Sequence, residues 1–125
     1  MSKTASGIER RLRAEALSAS WLSTSLGIGT QRIDAMHRAG ELIGVRPPGS
    51  SETFYPAWQF AGGRPLPAVP RIVAAAREAG LDDVRLYEVL TSHAGLGGSR
   101  RLVDALRDGG EEHVVAAVRQ SAPRG

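Results

Sequence analysis

The chain contains no cysteine, which excludes a disulfide framework, a thiolate nucleophile and any zinc site built on sulfur. It also lacks a long apolar run, since no stretch approaches the roughly 20 residues that a membrane-spanning helix requires. No apolar segment follows Met1-Ser2-Lys3-Thr4-Ala5-Ser6-Gly7, so a secretory signal peptide is not expected. Aromatic residues make up 5% of the chain against 42% hydrophobic residues overall, so the interior must rest on Leu, Val, Ile and Ala. A length of 125 residues supports one domain or two small lobes. These absences favour a cytoplasmic, nucleoid-associated protein with no membrane partner.

The residue types of catalysis are present but not assembled. His37, His93 and His113 fall in different elements, with no spacing that gathers a metal ion. Ser92 and His93 are adjacent, yet no Gly-x-Ser-x-Gly turn accompanies them. The run Gly95-Leu96-Gly97-Gly98-Ser99-Arg100-Arg101 lacks the lysine and the preceding strand of a phosphate loop. The pairs Asp82-Asp83 and Glu111-Glu112 stand at helix starts, where acids cap and offset the helix dipole. No catalytic residue, metal site or cofactor site is expected, and the chain does not read as an enzyme.

Charge is unevenly placed. Residues 1–65 hold eight basic groups (Lys3, Arg10, Arg11, Arg13, Arg32, Arg38, Arg46, Arg64) against five acids (Glu9, Glu15, Asp34, Glu41, Glu52), a net +3. Residues 66–125 balance to zero, so the first half carries the whole formal charge of +3. A surface of that sign suits a phosphate backbone, because neutralising phosphates releases counterions.

That half also holds the strongest pattern in the chain, Leu22-Ser23-Thr24-Ser25-Leu26-Gly27-Ile28-Gly29-Thr30-Gln31-Arg32-Ile33-Asp34-Ala35-Met36. Leu22 and Leu26 lie one helical turn apart, and Ile33 and Met36 repeat the relation on a second helix. Gly27 falls where the first helix must stop and the chain must turn. Ile28 fills the angle between the helices, and Ser23 is small where they cross. This is the spacing of a helix-turn-helix. A helix from about Gly7 to Leu17, capped by Ser6, precedes it. Ser18 or Ser20 caps the next helix, from about Ala19 to Leu26, and Thr30 opens a third that runs to Ala39 before Gly40.

Leu42-Ile43-Gly44-Val45 reads as a short strand, Arg46 to Glu52 as a turn, and Thr53-Phe54-Tyr55 as the returning strand ended by Pro56. Three helices followed by a short hairpin give the order of a winged helix-turn-helix. Tyr55, Trp58 and Phe60 are expected to seal the wing against the helices. Gly62-Gly63-Arg64-Pro65-Leu66-Pro67 reads as a connector. Beyond it the pattern is helical: a helix carrying Ile72, Val73 and Ala76 up to Gly80, and another capped by Asp82 or Asp83. A short helix capped by Ser99 and closed by Gly109-Gly110 follows, then a last helix with Val114, Val115 and Val118. The fold class is therefore mainly α, a winged helix-turn-helix with a β-hairpin wing followed by a small helical bundle. The domains are 1–61 for DNA binding, 62–68 as connector and 69–121 for dimerisation or partner binding.

Two stretches resemble known families. The helix-turn-helix, with Gly40-Glu41-Leu42-Ile43-Gly44-Val45-Arg46 and Phe54-Tyr55-Pro56-Ala57-Trp58-Gln59-Phe60, resembles the excisionase-like winged helices of small actinobacterial DNA-binding proteins. Leu86-Tyr87-Glu88-Val89-Leu90-Thr91, Leu96-Gly97-Gly98, Leu102-Val103-Asp104-Ala105-Leu106 and Glu111-Glu112-His113-Val114 resemble the C-terminal domain of the Xre/MbcA/ParS-type antitoxins. That second half is similar also to the helical C-terminal domain of a mycobacterial winged-helix protein that is a serine/threonine kinase substrate. The resemblance covers about residues 17–120. It implies a dimer that binds double-stranded DNA, and a toxin protein as a further partner. The chain departs from the antitoxin pattern at Tyr87 and Val89-Leu90, where a tryptophan-leucine pair is usual, and at Arg101, where a proline is usual. Those departures bear on toxin holding rather than on the dimer fold.

With Ile33 and Met36 turned inward, the outer face of the third helix presents Gly29, Thr30, Gln31, Asp34, Ala35 and Arg38, with Arg32 and His37 at its flanks. Gln31 suits adenine and Arg38 suits guanine or phosphate. Thr30 is placed for a phosphate at the helix start, and Asp34 either accepts from a cytosine amino group or pairs with Arg38. Arg46, at the end of the wing's first strand, holds a phosphate or enters the minor groove. The second half is expected to pair two protomers through Leu86, Leu90, Leu102, Leu106, Val114 and Val118. The function expected is a sequence-specific DNA-binding regulator that represses by occupancy. The alternatives are an antitoxin that autoregulates its operon and an excisionase-like architectural protein that bends DNA.

Overall fold

The computed structural model describes residues 3–92 and 101–122. The chain divides into two compact units, Met1–Val69 and Pro70–Gly125.

In the first unit, α1 (Lys3–Glu15) presents Ile8 and Leu12 inward, both buried. The helix begins earlier and ends earlier than the sequence pattern indicates: Ser6 lies within it rather than capping it, and Leu17 lies beyond it. The reason is a strand that local periodicity does not register. Strand β1 (Ala16–Ser18) pairs antiparallel with β2 (Phe54–Pro56), which sets Ala16 opposite Pro56, Leu17 opposite Tyr55 and Ser18 opposite Phe54.

The extended backbone at Ser18 then serves a second purpose. Ser18 is the N-cap of α2 (Ala19–Leu26), its hydroxyl accepting from the Trp21 N–H at 3.1 Å, one of the donors left without a partner in a first helical turn. The helix ends at Gly27, where φ is +71°, a conformation that strains any residue bearing a Cβ. The N–H groups of Gly27 and Ile28 both donate to the Ser23 carbonyl, at 3.0 and 3.2 Å, and the Ser23 hydroxyl donates to the Ile28 carbonyl. The turn is therefore fastened by Ser23 as well as shaped by Gly27. Helix α3 (Thr30–Arg38) follows. Leu22, Ile33, Leu42 and Tyr55 form a buried cluster, with Leu17, Leu26, Ile28, Met36 and Phe60 packed against it.

The stretch 42–45 is not a strand. Only Val45 pairs, exchanging two backbone hydrogen bonds with Phe54 at 2.7 and 2.8 Å. The partner that Ile43 would find in a sheet is supplied by a side chain. Gln59 is fully buried, in a short 3-10 helix (Ala57–Gln59). Its Oε1 accepts from the Ile43 N–H at 2.7 Å, and its Nε2 donates to the carbonyls of Ile43 at 2.7 Å and Pro56 at 3.1 Å.

The expected connector 62–68 is also corrected. Strands β3 (Phe60–Ala61) and β4 (Arg64–Pro65) form an antiparallel hairpin. Its turn is Gly62-Gly63, with φ of +61° and +77°, the two positive values that a type I′ turn requires. The Leu66 N–H donates to the Gln59 carbonyl at 2.7 Å, so this run is built into the first unit rather than strung between two.

The second unit comprises α4 (Val69–Ala79) from its second residue on, α5 (Asp83–Thr91), a 3-10 helix (Leu102–Asp108) and α6 (Glu111–Gln120). Asp82 caps α5 by accepting from the Arg85 N–H at 2.8 Å. The segment 102–108 is a 3-10 helix rather than an α-helix, begun by the Asp104 carboxylate accepting from the Arg101 N–H at 2.8 Å. Ser99, expected to cap it, lies outside the described residues. Ile72, Ala76, Leu86, Tyr87, Leu90, Val114 and Val118 are buried.

Arg71 of α4 reaches the first turn of α6, pairing with Glu111 and, at 2.6 Å, with Glu112. The hydrogen bond from Arg71, and then its charge, hold the Glu112 carboxyl below its usual range. A carboxyl lowered in the folded state contributes stability above its unfolded value and loses that contribution as pH falls through the folded value. The second unit is therefore expected to hold its urea midpoint from neutral pH to about pH 5 and to lose stability in stronger acid. Arg71→Gln should make that acid limb shallower. An unchanged pH profile in the variant would mean that this solvent-exposed clasp contributes nothing.

Candidate nucleic-acid interface

Six of the residues named for DNA contact lie together on α3. Thr30, Gln31, Arg32, Asp34, Ala35 and Arg38 are all exposed, because Ile33 is fully buried and Met36 half-buried on the opposite face. Arg46 is exposed as well, immediately after the Val45–Phe54 bridge. Among the described residues, Arg32 and Arg46 form no ion pair. Arg38 pairs with Asp34 one turn earlier, Nη2 to Oδ2 at 3.0 Å, with both side chains more than half exposed. Exposed pairs of this spacing are worth only about 0.3–0.5 kcal/mol, so the contact orients the guanidinium without adding much to stability.

The position of loop 46–53 relative to α3 is set by close packing. The His37 ring on α3 meets Tyr55 edge to face, at 6.0 Å between centroids and 88° between planes. Gly44 passes through the same contact. A Cβ there would stand 3.0 Å from Tyr55 Cε1 and from Thr53 Cγ2, and 3.1 Å from His37 Cδ2. Any larger residue at Gly44 would push the loop and the helix apart. On the other side of β2, the Arg13 guanidinium of α1 lies 5.9 Å from the centre of the Phe54 ring.

Between the start of α2, the first half of α3 and the returning end of the loop lies an open cleft of about 290 Å³. Ser18, Ser20, Thr30, Asp34, Glu52 and Thr53 are in its wall. Its wall is mixed polar and apolar, and among the described residues the charges in it are the carboxylates of Asp34 and Glu52. The cations of this face stand outside the cleft, on the flank and far end of α3 and at the root of the loop. Trp21, on the outward side of α2, is 56% exposed.

The second unit does not present the surface expected of it. Leu86, Leu90, Leu102, Val114 and Val118 are buried within a single chain, so they form the interior of the fold and are unavailable to a second protomer. Leu106 is half-buried on the 3-10 helix. An apolar helical stripe must be covered, and here the neighbouring helices of the same chain cover it. Gln59 went unrecognised as a structural residue because an amide between two aromatics carries no periodic signal. Among the described residues no group of His, Asp and Glu could hold a metal ion, and no helix is long and apolar enough to cross a membrane.

No protein-family model matches this sequence, and no curated protein does. The fold is similar to that of Rv2175c, whose structure was determined by NMR. The TM-score is 0.69 and 22% of the residues are identical, over 86% of this chain and 81% of that one.

Proposed function

We propose that this protein is a sequence-specific DNA-binding regulator, a winged helix-turn-helix that uses α3 as its recognition helix and represses by occupying its site. The observation that carries this reading is the two-faced character of α3. Its inner face is anchored by Ile33 in the cluster with Leu22, Leu42 and Tyr55, while Thr30, Gln31, Arg32, Ala35 and Arg38 are left exposed. A helix held by one face, with amide and guanidinium groups on the other, has the form needed to enter a major groove and contact base edges. Gln31 and Arg38 would read bases, Thr30 would sit at a phosphate near the helix start, and Arg32 and Arg46 would hold backbone on either side. The net +3 of residues 1–65 supports the same role.

Binding-site selection from random duplex DNA at near-physiological salt tests it. The expected result is enrichment of one short motif. Recovery of a pool indistinguishable from the input would overturn the proposal.

A further inference from the structure

The acidic residue on the proposed reading face is the least expected member of it, since a carboxylate repels a polyanion. We infer that Asp34 is a specificity-determining residue, accepting an amino proton from a cytosine while Arg38 holds a guanine of the same or the neighbouring base pair. This rests on the reading of α3 as the recognition helix and adds the identity of the base pair that the helix selects.

Among the described residues, Asp34 pairs with Arg38, Oδ2 to Nη2 at 3.0 Å, with its side chain 53% exposed. A carboxylate has about four acceptor sites, so this contact does not exhaust it. The cleft it borders has Glu52 as a second carboxylate and no basic residue in its described wall. A phosphate brought there would meet Glu52, and Asp34 offset by Arg38 alone, within a screening length of about 8–10 Å. Phosphate and carboxylate are both acceptors with no proton to share, so the backbone is not the partner of Asp34. The groups of duplex DNA that gain from a carboxylate in the major groove are the base amino groups, N4 of cytosine and N6 of adenine. On adenine the amino group stands beside the N7 acceptor, which repels the second carboxylate oxygen; cytosine has no such neighbour on its groove edge.

The spacing of the pair is compatible with a single recognition step. Asp34 and Arg38 are one helical turn apart, about 6 Å along the axis, against about 3.4 Å between successive bases of one strand. The guanidinium has five donors in a planar fork, so Arg38 can keep its contact with Asp34 while donating to guanine O6 and N7. Held in this way, the two side chains present acceptor and donors side by side, the complement of a cytosine and a guanine.

The test compares wild type, Asp34→Ala and Asp34→Asn on duplexes carrying each base pair at every position of the selected motif, by competition at near-physiological salt. Wild type is expected to prefer G·C at one position by about 5- to 150-fold. Asp34→Ala should flatten that position alone and bind random duplex more tightly, because a like charge has been removed. Asp34→Asn should move the preference at the same position towards adenine, whose donor and acceptor fit an amide. A merely structural carboxylate that steadies Arg38 would not change which base is chosen. Three identical base profiles on a motif that wild type does select would overturn this inference and leave DNA reading intact. Failure of wild type to select any motif would remove both.

Discussion

Replacing Gln59 with leucine is expected to lower the stability of the first unit by about 2–5 kcal/mol, although the two side chains are similar in size. The amide makes three hydrogen bonds to backbone groups of Ile43 and Pro56, and it does so fully buried, against a residue that is itself 2% exposed. Leucine would leave the Ile43 N–H and C=O without partners in an apolar setting, at about 1–3 kcal/mol for each orphaned group. In a domain of this size each kcal/mol moves the unfolding midpoint by about 4–8 °C, so a fall on the order of 10 °C or more should be visible by circular dichroism. Gln59→Glu separates the donor from the acceptor role. Its carboxylate can accept from the Ile43 N–H but has no proton for the two carbonyls, and it buries a charge. It should be the worse variant at neutral pH and should recover in part in acid, where protonation restores a donor. Equal midpoints for the three proteins would show that water substitutes for the amide.

Arg38→Ala is expected to weaken binding to the selected motif by about 5- to 150-fold, equivalent to roughly 1–3 kcal/mol, if Arg38 holds a guanine through two hydrogen bonds. Stability should change little, because the ion pair with Asp34 is exposed and spans one helical turn. Part of the loss would come from Asp34, whose charge the arginine no longer offsets. The double variant Asp34→Ala/Arg38→Ala isolates that part: it should bind random duplex better than Arg38→Ala alone while losing the remaining base preference of the motif, and the departure from additivity measures the coupling. A loss of equal size on the motif and on random duplex would make Arg38 a phosphate anchor instead.

The parts of this fold that the sequence discloses are those fixed within a few residues. Leu22, Leu26, Gly27, Ile28, Ile33 and Met36 specify two helices and the turn between them through spacing alone, and the capping residues Ser18 and Asp82 stand immediately before the helices they begin. The exposure of Thr30, Gln31, Arg32, Asp34, Ala35 and Arg38 follows from the same spacing, as does the availability of Asp34 to Arg38 one turn away. What escaped is non-local. Strand β1 exists because β2 returns to it from residues 54–56, and nothing in Ala16-Leu17-Ser18 announces that partner. Residues 42–45 look like a strand because they are apolar, but a glutamine far along the chain occupies the backbone groups of Ile43 that a strand would use. The acidic cleft likewise depends on a loop position set by Gly44, His37 and Tyr55. In the second unit, periodicity identified which residues are apolar and on which side of each helix. It could not say whether another protomer or the rest of the same chain covers them, and Leu86, Leu90, Val114 and Val118 are covered by their own chain.

The most direct test of α3 as a reading head is a titration of isotope-labelled protein with the selected duplex, followed through its backbone amide resonances. The largest shifts are expected along Thr30–Arg38 and at Arg46 and its loop, with weaker ones at the start of α2 around Ser18 and Ser20. Shifts confined to residues 70–122, with α3 unmoved, would contradict the account.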